Sequence, residues 1–69
     1  MTRTINGIVW TRGEYGKWTS ALGTVFVQGM YTEVKPMGRK GWLEHTKGRD
    51  EHAMLIDLTP RMYRNVTAR

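Results

Sequence analysis

The sequence predicts a mainly β protein, a small antiparallel sheet of four or five strands arranged as a meander or a partial barrel. Three observations lead there. From Ile8 to Val34, apolar and β-branched residues come in short runs punctuated by Gly13, Gly16, Gly23 and Gly29, a rhythm that suits strands joined by tight turns. Sixty-nine residues make a single domain close to the size at which one core barely offsets chain entropy. No cysteine is present to staple or bind metal through thiolates, so packing must hold the fold.

The elements follow in order. A first strand over residues 7–12 sets Ile8 and Trp10 on one face, Val9 and Thr11 on the other. Gly13 and Gly16 frame a hairpin connection into a second strand over residues 15–22, where Trp18, Ser20 and Leu22 share a face. After Gly23 a long strand runs from Thr24 to Val34, with Gly29 inside it as a bulge or a place of close backbone approach. Pro36 and Gly38 mark a loop over residues 35–40. A fourth strand spans residues 41–46, and a fifth apolar segment spans residues 53–58 beyond the charged turn around Gly48. Thr59-Pro60 carries a helix-start signal, so residues 60–65 form a short C-terminal helical turn within a basic tail, 59–69, that frays at its end.

Eleven Lys and Arg against six Asp and Glu give a net charge of +5, unevenly distributed. Lys35, Arg39, Lys40, Lys47 and Arg49 make the middle basic, Asp50, Glu51 and Asp57 make a short acidic stretch, and Arg61, Arg64 and Arg69 make the end basic again. Such clusters attract a polyanion or an acidic protein face, although a charge of this size also serves solubility alone. The N-terminal residues lack the apolar core of a leader, and no window approaches the ~18 apolar residues of a membrane span. A cytoplasmic protein without a membrane partner is the expectation.

Catalytic and metal chemistry find little footing. His45 and His52 straddle a glycine turn near Asp50 and Glu51 without the convergent ligand set that zinc requires. Ser20 is the sole serine, sits in a strand, and lies in no nucleophile-elbow pattern. Walker A and G-x-G-x-x-G phosphate loops are both missing. The reading is therefore non-enzymatic, with no metal and no cofactor.

What remains is binding. Lys35, Arg39 and Lys40 on a glycine-containing loop, with Trp42 following and Tyr31 nearby, can lie against phosphates while a ring stacks on a base. Basic loop tips also simply discourage edge-to-edge aggregation, and Trp42 can be a core anchor. Seven aromatics are more than one small sheet can hide, and those outside, with Met30, Met37, Met54 and Met62, suit an adaptable interface.

Val9-Trp10-Thr11-Arg12, followed by Tyr15-Gly16-Lys17-Trp18-Thr19-Ser20 and Gly23, resembles the opening of small orphan accessory proteins of tailed actinobacterial bacteriophages. The resemblance covers the first third of the chain. It implies a β-meander start and an accessory role on a host macromolecule in the host cytoplasm. That pattern closes with an alanine-rich amphipathic helix, whereas this chain ends in Leu55-Ile56-Asp57-Leu58 and a basic tail, so no functional residue carries over.

The leading expectation is a binding module that modulates a host protein through Tyr31, Met37, Arg39, Lys40 and Trp42 or through a strand edge. The alternative is nucleic-acid binding through Lys35, Arg39, Lys40, Arg61, Arg64 and Arg69. A third is a structural protein whose partner is a second copy of itself.

Overall fold

The computed structural model describes residues 1–68; Arg69 lies outside the described residues. Six strands, β1 (Thr2–Ile5), β2 (Ile8–Arg12), β3 (Lys17–Ser20), β4 (Gly23–Gln28), β5 (Tyr31–Pro36) and β6 (Trp42–His45), form one antiparallel sheet in sequence order. A 17-residue helix, α1 (Glu51–Thr67), packs across one face. The sheet is open: among the described residues β1 and β6 are its two edges and do not pair with each other.

The mainly β, antiparallel expectation holds, with these corrections. First, Thr2–Ile5 is a sixth strand, joined to β2 through Asn6-Gly7 with both residues at positive φ (51° and 79°), as a two-residue hairpin of this type demands. Second, the long strand expected over residues 24–34 is a hairpin. Gln28 pairs with Tyr31, so Gly29, at φ 58°, is a turn residue instead of a bulge. The second expected strand is also shorter, because Glu14–Gly16 forms a 3₁₀ turn ahead of β3.

Third, the segment read as a fifth strand belongs to α1, and residues 59–67 form the second half of that helix rather than a tail. Asp50 caps it, its Oδ1 accepting from the Ala53 N–H at 2.8 Å. Met54, Leu55, Leu58, Thr59 and Met62 are buried at helical spacing. Pro60 sits inside the helix, where it lacks the N–H that would bond the Ile56 carbonyl. Its neighbour Thr59 donates through Oγ1 to the Leu55 carbonyl at 2.6 Å. Tertiary packing of the apolar face carries the helix through this gap.

Strand alternation and the registers define two faces. The covered face presents Ile5, Ile8, Trp10, Trp18, Val25, Val27, Val34 and Trp42 toward α1. Both buried indoles are tied to the helix: Trp10 Nε1 donates to Thr59 Oγ1 at 3.0 Å, and Trp18 Nε1 donates to Glu51 Oε1 at 2.6 Å. At the β3–β4 corner Gly23 is required by space, since a Cβ there would stand 2.1 Å from the Lys35 carbonyl oxygen. The open face carries Val9, Phe26, Tyr31, Leu43 and His45, together with a row of threonines, Thr2, Thr11, Thr19 and Thr24, directly opposite one another across β1 to β4.

Candidate binding edge and basic pole

β6 is short, and its two neighbouring apolar residues decide its character. Side chains alternate along a strand, so when Trp42 turns to the covered face its neighbour Leu43 must turn to the open one. Trp42 is half-buried with the Arg61 guanidinium 6.0 Å from its ring centroid, while Leu43 is 67% exposed, more than any other large apolar strand residue. Leu43 lies opposite Glu33, whose strand neighbour Tyr31 packs edge-to-face on His45 at 5.6 Å between centroids. Phe26 pairs with Glu33 from the other side, with Lys17 over its ring at 5.6 Å.

The β6 backbone completes the picture. Thr46 N–H donates to the Met30 carbonyl at 2.7 Å, in the register that continues β5–β6. Antiparallel pairs alternate between hydrogen-bonded and non-hydrogen-bonded, so Glu44 and Trp42 bond toward β5. Leu43 and His45 therefore aim their N–H and C=O groups outward, away from the sheet. Beside them, at the start of β6, lies a shallow groove of ≈ 320 Å³ lined by Glu33, Val34, Lys35, Gly41, Trp42 and Leu43.

The expected protein-binding residues do not form one surface. Tyr31 is on the open face, Trp42 is on the covered face under Arg61, and Met37, Arg39 and Lys40 sit in the loop between β5 and β6. Leu43, Phe26 and Lys47 were not singled out from sequence. The signal for Leu43 was nonetheless there, because two consecutive apolar residues on a strand cannot share a covered face.

The cationic candidates divide as well. The registers place the Asn6-Gly7 turn, the Ala21-Leu22 turn and the loop over residues 37–41 at one end of the sheet, and the last turn of α1 reaches the same end. Lys35, Arg39, Lys40 and Arg64 gather at this pole, where residues 5–8, 20–23, 35–41 and 63–68 include no Asp or Glu. Arg39 donates to the Ala68 carbonyl at the helix C-terminus, where the helix dipole favours a cation. Lys35 is held by Glu33 at 3.3 Å. Arg61 does not belong to the pole. It pairs with Glu44 at 2.8 Å and Asp57 at 3.1 Å, and the Glu44 hydrogen bond foremost raises its pKa. Arg69 lies outside the described residues.

At the opposite end Glu51 accepts from Arg12 Nε at 2.8 Å and Arg12 Nη2 at 3.2 Å as well as from Trp18. The Arg12 hydrogen bond holds its carboxyl below the ordinary value, against the opposing pull of partial burial. This ensemble fastens α1 to β2 and β3. Among the described residues no three His, Asp or Glu side chains converge as a metal site, and no helix is long and apolar enough to cross a membrane. No family model, curated protein or solved structure matches this chain.

Proposed function

We propose that this protein is a small non-enzymatic module that binds another protein by strand addition at the β6 edge. The observation that carries the reading is Leu43, an exposed apolar side chain on an edge strand whose own N–H and C=O point away from the sheet. Strand addition supplies affinity through main-chain hydrogen bonds and specificity through the flanking side chains. Tyr31 and His45 extend the contact on the open face, and Lys40 stands just before the strand. The likeness of the first hairpin to phage accessory proteins adds that the partner is a host protein met in the host cytoplasm, which the module modulates by occupying its surface.

The test is capture from a nuclease-treated bacterial lysate with the tagged protein and with Leu43→Arg in parallel. The reading requires a stoichiometric protein that wild type retains and Leu43→Arg loses. Equal retention by both would remove β6 from the interface.

A second reading is favoured by one specific observation, the pole where Arg39, Lys40 and Arg64 form no ion pair among the described residues and Lys35, beside Glu33, stands at the margin. Nucleic acid bound there would show log affinity falling with log salt at a slope of about −0.9 per phosphate contact, roughly −3 for three or four contacts. A slope near zero excludes it.

A further inference from the structure

We infer that the occupant of the β6 edge is an extended acidic peptide segment, a proposal that rests on the strand-addition reading above and names the chemistry of its partner. The argument is charge complementarity. Both carboxylates beside β6 are already neutralised from within the chain, Glu33 by Lys35 and Glu44 by Arg61. Lys40, two residues before the strand, and Lys47, two residues after it, are exposed and form no ion pair among the described residues. At the edge the Leu43 N–H and C=O and the His45 N–H face outward, the His45 carbonyl already receives Arg49 Nη2 at 3.5 Å, and an unpaired cation stands at each end, on a chain whose net charge is +5.

Lys47 is held in place by the turn it belongs to. Its φ is 57°, its N–H donates to His45 Nδ1 at 2.9 Å, and Arg49 Nε donates to the Thr46 carbonyl at 3.1 Å. Lys40 adjoins Gly41, where a Cβ would come within 2.7 Å of the Val34 carbonyl oxygen, so the chain enters β6 in close contact with β5. The four residues of β6 span about 13 Å at strand rise. A matching ligand is a strand of six to eight residues, with one apolar side chain beside Leu43 and Asp or Glu toward each end.

The same charges argue against a second copy at this edge. Antiparallel pairing of β6 with itself would bring Lys47 of one copy against the loop carrying Arg39 and Lys40 of the other, and like charges facing one another oppose the contact.

Amide NMR of the ¹⁵N-labelled full chain, titrated at low salt with four synthetic peptides, tests the proposal. All four share an alternating Val/Thr centre: one has acidic flanks, one neutral flanks, one basic flanks, and one acidic flanks with a central proline. The expected result is that the acidic peptide shifts the Leu43 and His45 amides and slows their hydrogen exchange. It should bind roughly five-fold tighter than the neutral one, the size two exposed ion pairs supply, and K40E/K47E should reverse the order of acidic and basic peptides. Equal binding of acidic and neutral peptides at β6 would overturn the acidic partner while leaving strand addition standing. Failure of every peptide to move Leu43 and His45 would remove strand addition itself. Equal binding of the proline peptide would refute a main-chain ladder, and shifts confined to Arg39 and Arg64 would transfer the site to the basic pole.

Discussion

The covered and open faces of this sheet are made from the same strands, residue by residue in alternation, yet they do different work. On the covered face two indoles are buried to within 1% of full burial and each spends its N–H on α1, Trp10 at mid-helix and Trp18 at the first turn. A buried indole N–H without a partner would cost about as much as a lost hydrogen bond, so the two bonds fix where the helix lies as well as how firmly. On the open face the ladder of threonines and the group of Phe26, Tyr31 and Leu43 meet solvent. Stability is concentrated on one face. The other is free to carry binding residues at little structural cost.

Trp10→Ala should break this division most severely. Removing a fully buried aromatic typically costs about 3–5 kcal/mol, and a chain this short holds roughly 3–10 kcal/mol in all. Thermal unfolding followed by circular dichroism should show the variant largely unfolded at 25 °C, and a cooperative transition within a few degrees of wild type would contradict the assigned role of the indole.

Glu51→Gln should cost less, about 1 kcal/mol, because a third of the Glu51 side chain remains exposed and water screens the pair. The effect has a pH signature. The folded carboxyl titrates lower than the unfolded one, so its contribution is complete above the unfolded value of about 4.3 and fades as pH falls through the folded value. Urea denaturation at pH 7 and at pH 3 should show the gap between wild type and Glu51→Gln narrowing at the lower pH. A gap that stays constant would mean the carboxylate charge is irrelevant to docking α1.

Leu43→Thr should have the smallest effect on folding, within about 0.5 kcal/mol, as exposed substitutions away from caps and pairs generally do. The same substitution should weaken partner binding. A loss of more than 1 kcal/mol in stability would show that Leu43 belongs to the core after all, and would erase the contrast between the two faces.

Much of the meander is legible in the residues. The strands around Trp10, Trp18 and Trp42 fall where alternation places them, whereas the loop expected over residues 35–40 begins only after Pro36, because Lys35 and Pro36 pair with Thr24 and Gly23 as the end of β5. The N-terminal strand carried its own signal in Asn6-Gly7, a strong short-range hairpin mark, but Thr2-Arg3-Thr4 has no apolar alternation to support it. The helix was obscured by Pro60. Residues 53–58 read as a strand because a proline two residues later looks like a boundary, although Met54, Leu55, Leu58, Thr59 and Met62 repeat at helical spacing across it.

By itself, then, the sequence determined the mainly β character, the positions of most turns and the uneven basic charge, because each depends on neighbours along the chain: glycine and proline backbone preferences, side-chain alternation and residue charge. Only the tertiary structure decided that Leu43 stands on a free edge, that Arg61 is consumed by Glu44 and Asp57, and that Lys35, Arg39, Lys40 and Arg64 share a pole. Those facts depend on which strands pair and which face the helix covers. Both are settled by burying Trp10 and Trp18 against α1, across separations of 49 and 33 residues that no local pattern spans.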